Sequence, residues 1–249
     1  MALDVRQFPC LSDNYGFIVR DEASGRTACV DTPDAEAILA ALSAAGWGLD
    51  LVLNTHWHPD HAGGNRAVQA ATGARIVGPE EVLRIAPLDQ AVKGGDEIRL
   101  GDTRIQVIDC SGHTLGHVAY HAPEANMAFV GDTLFAMGCG RLFEGEPAQM
   151  WASLQRLAAL PEQTIIFCAH EYTESNVRFA LSLDSDPAVA ERAQIVFEAR
   201  RKGEPTVPTT IARERATNPF LRAPLLMPDA PDPVTAFAQV RSAKDEFKG

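Results

Sequence analysis

Four side chains able to bind a metal, His56, His58, Asp60 and His61, fall within six residues in Thr55-His56-Trp57-His58-Pro59-Asp60-His61. They directly follow the apolar run Leu51-Val52-Leu53-Asn54, which reads as a buried strand. In an extended segment His56 and His58 share one face, while Asp60 and His61, beyond the turn that Pro59 forces, reach a second point nearby. That arrangement suits two adjacent cations. Three of the chain's seven histidines crowd into this stretch, which ordinary surface placement does not explain.

Further donors follow other strand-like runs. Residues 104–109 alternate and lead to Ser111-Gly112-His113-Thr114; residues 127–130 lead to Gly131-Asp132-Thr133; residues 164–168 lead to Ala169-His170-Glu171-Tyr172. In sheets covered by helices, sites gather beyond the carboxyl ends of strands, so these donors should converge on one mouth. The expected shell is His56, His58, Asp60, His61, His113, Asp132 and His170. One zinc-like ion would take His56, His58 and His113, and the other Asp60, His61 and His170. Asp132 would bridge them, because a carboxylate offers two oxygens and a negative charge. Three protein nitrogens leave a coordination position open, as catalytic sites do. A water held between ions roughly 3.5–4 Å apart has its pKa lowered to about 7 and becomes a hydroxide nucleophile. No cysteine occupies these positions, so the set suits zinc, iron or manganese rather than a closed structural zinc knot.

The elements that must hold these residues alternate strand and helix up to Ala169, an α/β pattern. Residues 35–45 place Ile38, Leu39 and Leu42 on one side and stop at Gly46. Met150, Trp151, Leu154, Leu157 and Leu160 recur at helical spacing after Pro147, as core. From Glu171 onward strands are expected to cease. Asp186-Pro187 and Asp232-Pro233 each read as an N-cap with proline at the first helical position, for helices closing near Gly203 and Phe247. The expected division is a catalytic domain over residues 1–169 and a helical substrate-binding domain over 170–249.

His56-x-His58-x-Asp60-His61 with His113, Asp132 and His170 resembles the signature of the metallo-β-lactamase superfamily, with matching elements from Asn14 to the C-terminus. The resemblance implies a four-layer αββα sandwich with a small C-terminal α-helical domain. Within that superfamily, Asp13-Asn14-Tyr15, Gly131-Asp132-Thr133-Leu134-Phe135, Gly138-Cys139-Gly140-Arg141, His170-Glu171-Tyr172-Thr173 and Asn218-Pro219-Phe220 are similar to the hydroxyacylglutathione hydrolase, or glyoxalase II, family. That likeness implies hydrolysis of an S-(2-hydroxyacyl)glutathione thioester, S-D-lactoylglutathione, to glutathione and D-lactate, the second step of methylglyoxal detoxification. It implies two divalent ions per chain, with Asp60 and Asp132 as catalytic residues. Asp60 would orient the attacking hydroxide while it ligates. The departing thiol has a pKa of about 8.5, so it needs no strong general acid.

Residue chemistry alone reads Arg241 and Lys244, three apart on the last helix, as solvated surface charges. The resemblance makes them the glutathione-binding pair, with Arg141 and Tyr172 as further contacts. Phe143 stands where many relatives have tyrosine, and it offers ring packing in place of a hydrogen bond.

Competing readings are a lactone hydrolase with the same seven ligands, a persulfide dioxygenase with a single iron, a nuclease or β-lactamase, and a non-catalytic metal-binding regulator. Shared purpose for Arg141, Tyr172, Arg241 and Lys244 favours the glutathione thioester.

With 249 residues and 46% hydrophobic content, the chain can bury one large core plus an appended unit. A net charge of −11 argues against nucleic acid or an anionic membrane as partner, and an anionic substrate needs a local basic patch. Five cysteines without a CxxC pair read as reduced, buried fillers. The N-terminus lacks an apolar signal segment and no stretch reaches the length of a membrane span, so a cytoplasmic protein is expected; no apolar stripe demands a partner, so a monomer is expected. Of the remaining histidines, His117 is expected to be a hydrogen-bonding support of the fold or the ligands, and His121 an exposed strand residue.

Overall fold

Short apolar runs bounded by turn residues build the first of two units, which reaches to Cys110 and includes Gly116–Gly131. The computed structural model describes residues 2–249. In chain order this unit contains β1 (Leu3–Cys10), β2 (Asn14–Asp21), β3 (Thr27–Val30), α1 (Ala35–Ala45), β4 (Leu51–Leu53), α2 (Pro59–Ala62), α3 (Asn65–Thr72), β5 (Arg75–Gly78), β6 (Gln90–Ala91), β7 (Glu97–Leu100), β8 (Thr103–Asp109), β9 (Val118–Ala122) and β10 (Met127–Gly131). The first six strands form one sheet in sequence order, antiparallel from β1 to β3 and parallel from β3 to β6. The central parallel strands β3 and β4 read as mostly apolar runs because both faces are covered, whereas the short β6 is polar and partly exposed.

Strands β7 to β10 pair antiparallel in order, and their inner face packs on the first sheet. A small apolar void between the sheets is lined by Val19, Val30 and Leu53 on one side and Ile105, Tyr120 and Phe129 on the other. The buried Tyr120 hydroxyl donates to the Asn54 carbonyl at 2.6 Å, so the phenol carries no unsatisfied donor into the core. On the outer face of the first sheet, Ile38 and Leu42 of α1 and Val68 of α3 cluster with Ile18, Val52 and Ile76. Asp34 caps α1 by accepting from the Glu36 and Ala37 amides, and Gly46 closes it at φ +67°, as its spacing predicted.

His121 differs from expectation. It is buried, because every residue of β9 is covered on both faces. Burial holds its imidazole below the ordinary histidine pKa.

The second unit comprises Ser111–Leu115 and Asp132–Gly249. It contains β11 (Leu134–Phe135), β12 (Gly138–Cys139), α4 (Pro147–Ala158), β13 (Ile165–Cys168), α5 (Thr173–Leu183), α6 (Pro187–Arg201), β14 (Thr209–Thr210), α7 (Ile211–Thr217), α8 (Ala223–Leu226) and α9 (Pro233–Glu246). Strands do not cease at Glu171: β14 pairs antiparallel with β13, setting Ile165 against Thr210 and Ile166 against Thr209. Two residues are too few to display a two-residue period, so nothing in the sequence pattern marks it. Proline at the first position starts α4, α6 and α9. Glu146 and Gln149 form a capping box on α4, while Asp186 and Asp232 cap the other two.

The turn between β11 and β12 is held from below by a buried polar group. Met137 adopts φ +57°, and its amide donates to Glu214 Oε2 at 2.8 Å. Asn218 Nδ2 donates to the same carboxylate at 2.8 Å and to the Gly138 carbonyl at 3.0 Å, while Asn176 Nδ2 reaches the Ala136 carbonyl at 3.1 Å. Glu214 is fully buried and paired with Arg192. Among the described residues, no helix is long and apolar enough to cross a membrane.

Candidate active site

From β4 the chain continues through Asn54 and Thr55 to His56, all fully buried. His58 precedes Pro59, which opens the single-turn helix α2 and carries Asp60 and His61. His56 Nε2 lies 3.0 Å from His58 Nδ1, with the two rings near perpendicular at 79°. The His56 and His61 rings are 4.0 Å apart, and His61 Nε2 is 3.5 Å from Asp60 Oδ2. All four donors of this unit are thus gathered.

Asp31, just beyond β3, sets their tautomers. Buried and at φ +57°, it accepts from the Thr55 amide at 2.7 Å, the Thr55 hydroxyl at 2.8 Å and His61 Nδ1 at 2.8 Å. With its O–H donated to Asp31, the Thr55 hydroxyl accepts from His56 Nδ1 at 3.0 Å. One carboxylate therefore fixes both imidazoles with Nδ1 protonated and leaves each Nε2 a lone pair for a cation. His117 stacks on His56, with ring centroids 4.7 Å apart. At Gly131, φ +48°, a Cβ would stand 2.6 Å from the Thr55 hydroxyl and 2.7 Å from His117 Nε2, so only glycine fits.

The second unit holds the remaining three expected ligands. His113 Nδ1 donates to the Arg141 carbonyl at 2.9 Å, which leaves its Nε2 lone pair 3.4 Å from Asp132 Oδ2. His170 Nε2 lies 3.3 Å from Asp132 Oδ1. One buried carboxylate therefore has an imidazole against each of its oxygens. A Cβ on Gly140 would lie 3.0 Å from His113 Nδ1 and 2.0 Å from the Asp132 carbonyl. Imidazoles and carboxylates with no thiolate make a donor set that fits divalent cations of the zinc, iron or manganese type.

Next to His113 and Asp132 the second unit has a cavity of about 410 Å³, within the range of small-molecule sites. His113 and Asp132 line it, and so do Arg141, Phe143, Tyr172, Arg241 and Lys244. Arg241 is only 6% exposed, which overturns the solvated-surface reading of the last helix. Its guanidinium donates to the Cys139 carbonyl at 3.0 Å and to Asp245 at 2.9 Å, and it lies over the Phe220 ring. Lys244 Nζ donates to the Ser175 carbonyl and hydroxyl, both at 3.0 Å. Burial, then the neighbouring Arg241 and Arg141, push its ammonium pKa down to about 8, with Asp245 opposing.

Tyr172 stacks flat on His170 at 4.7 Å, with Phe135 edge-on to both rings. Phe143 is 63% exposed at the cavity wall, edge-on to His113 at 5.2 Å. Cys139 also lines the cavity; burial lifts its thiol to about 11, against the pull of Arg241. The other cysteines are likewise free and buried.

Sequence reasoning missed Asp31, Asn176, Glu214 and Asn218 as supports of the site. Two had usable signals: Asp31 follows the run 27–30 just as the metal-competent residues follow their strands, and Asn218 stands in the family motif Asn218-Pro219-Phe220.

The chain matches two family models, the metallo-β-lactamase superfamily over residues 27–170 and the hydroxyacylglutathione hydrolase C-terminus over residues 171–247. It is 52% identical to a hydroxyacylglutathione hydrolase of Erythrobacter litoralis, over 98% of this chain and 100% of the relative. It is 54% identical to one of Maricaulis maris, over 98% of each. Among solved structures it resembles ETHE1 from Myxococcus xanthus, with a TM-score of 0.70 and 26% identity over 96% of this chain and 90% of that one. It also resembles TTHA1623, solved in a di-iron-bound form, with a TM-score of 0.62 and 25% identity over 88% of this chain and 100% of that one.

Proposed function

Because the chain belongs to the hydroxyacylglutathione hydrolase family of the metallo-β-lactamase superfamily, with its α/β sandwich and C-terminal helical region, we propose that it hydrolyses S-(2-hydroxyacyl)glutathione thioesters. S-D-lactoylglutathione would yield glutathione and D-lactate, the second step of methylglyoxal detoxification. The observation that carries this reading is a single cavity lined both by two of the metal-competent residues, His113 and Asp132, and by three cations, Arg141, Arg241 and Lys244. In a chain of net charge −11, such a basic patch is what a ligand with carboxylates at both ends requires.

His56, His58 and His113 are assigned to one ion, and Asp60, His61 and His170 to the other. Asp132 joins them, an assignment supported by the imidazole against each of its oxygens. Two divalent ions would supply Lewis acidity and a water of lowered pKa. Zinc is the proposed occupant, with iron an alternative that the di-iron form of TTHA1623 keeps in view.

The protein's own residues do the rest. Asp60 orients the attacking oxygen, and Arg241 and Lys244 anchor the substrate's carboxylates away from the reacting carbonyl. Arg141 adds a third cation at the cavity wall, and Tyr172 and Phe143 contribute ring faces to the bound tripeptide. The thiolate leaves without a general acid, because its parent thiol has a pKa of about 8.5. The protein is proposed to act as a monomer in the cytoplasm, a reducing compartment that suits its five buried free thiols.

The test is loss of the thioester from S-D-lactoylglutathione, run beside a lactone panel with metal analysis of the same sample. Turnover of the thioester with two ions per chain is the expected result. Fully metallated protein that leaves the thioester intact, or that prefers lactones, refutes the proposal.

A further inference from the structure

The reading above gives no role to Asp13-Asn14-Tyr15, at the turn between β1 and β2. Asn14 opens β2, paired with Cys10 across a three-residue turn in which Leu11 takes φ +50°. Its side chain is 5% exposed. Asn14 Nδ2 donates to Asp60 Oδ2 at 3.1 Å and approaches the Asp60 carbonyl at 3.4 Å, across 46 residues of sequence. Asp60 itself sits on a four-residue helix with its side chain 38% exposed, so local structure leaves its rotamer loosely determined. A buried amide on a paired strand supplies what the short helix lacks.

We propose that Asn14 is a positioning residue for the second cation site: its amide engages Oδ2 of Asp60, the oxygen 3.5 Å from His61 Nε2, and so fixes the rotamer that sets this carboxylate beside His61. This rests on the two-ion reading given above. The chemistry favours an amide at this point. An Arg or Lys would hold the carboxylate as firmly but would bring a positive charge beside a cation and weaken its binding. A hydroxyl on a shorter side chain would not span the gap from the hairpin. The amide donates one hydrogen bond and adds no charge, and a carboxylate has about four lone-pair sites, so one such bond does not exhaust its capacity to ligate. Groups that orient metal ligands in this way typically account for about 10–100-fold in metal affinity.

The experiment is a zinc titration of metal-free protein against a chromophoric chelator, for the wild type, Asn14→Ala and Asn14→Leu. The leucine keeps the approximate shape of the side chain and removes the donor without adding charge. Wild type should take up two equivalents. Both variants should bind the first equivalent within about threefold of wild type and the second about 10–100-fold more weakly. In an Asp60→Asn background, Asn14→Ala should add nothing further to the loss at the second site. Wild-type affinity for both equivalents in either variant overturns the proposal. So does equal weakening of both, or a collapse of the melting temperature of both metal-free variants, since each marks a residue of general structural importance. A wild type that binds one equivalent sinks the two-ion reading instead, and is told apart on the same titration.

Discussion

Lys244 gives the most discriminating test of how the substrate is held. Its ammonium is pushed down to about 8 by burial and by Arg241 and Arg141, so it is charged below that pH and neutral above it. In the free protein about ten of every eleven molecules carry the charge at pH 7, and about one in eleven at pH 9. If the charge anchors a substrate carboxylate, kcat/KM, which reports the free enzyme, falls about tenfold across that interval. The ceiling on the fall is the worth of one charge-assisted hydrogen bond, roughly 1.5–3 kcal/mol, or about 10–150-fold. The substrate's own α-amino group titrates in the same region, as any metal-coordinated water does nearby. The comparison is therefore with Lys244→Arg, whose guanidinium stays charged throughout. The ratio of wild-type to variant kcat/KM on S-D-lactoylglutathione should drop about tenfold from pH 7 to pH 9, because every other titration cancels. A ratio that stays flat refutes the assignment of Lys244 as a carboxylate anchor.

Asp132→Ala should lower metal content and turnover together, measured on one preparation; two ions retained with normal activity would dismiss it as the bridge. Arg241→Ala with Lys244→Ala should raise KM and leave metal content unchanged, since the interaction removed is the same in ground and transition states. An unaltered KM takes both residues out of the site. Glu214→Ala breaks a buried ion pair and strands Arg192, which costs about 3–5 kcal/mol and lowers Tm by roughly 6–20 °C by calorimetry. A melting point within two or three degrees of wild type, a shift of about 1 kcal/mol at most, would show the pair to be dispensable.

The metal-competent residues gathered within each unit were legible because they follow apolar runs, so a local pattern carried information about what the fold brings together. The helices α1, α4, α6 and α9 were legible for the same reason: their caps, prolines and apolar spacing lie within a dozen residues. What escaped is what depends on distant partners. Asp31 acts on Thr55 and His61, 24 and 30 residues away, and Glu214 acts on Met137 across 77. Nothing near either carboxylate in sequence announces its partner. Arg241 shows the same limit from the other side. A charge near the end of a chain reads as solvated, and only the packing of α9 against Cys139 and Phe220 buries it. His121 fails by the same logic, since alternation along β9 cannot tell that both faces are covered.

The raised thiol of Cys139 bears on chemistry in the surrounding medium. With a pKa of about 11, fewer than about one molecule in a thousand carries it as thiolate at neutral pH. Cys10 and Cys168, both held near 12, are more inert still. If the cavity that Cys139 lines is where the tripeptide is set free, its sulfur offers oxidised glutathione almost nothing to attack with, and mixed disulfides should form slowly there.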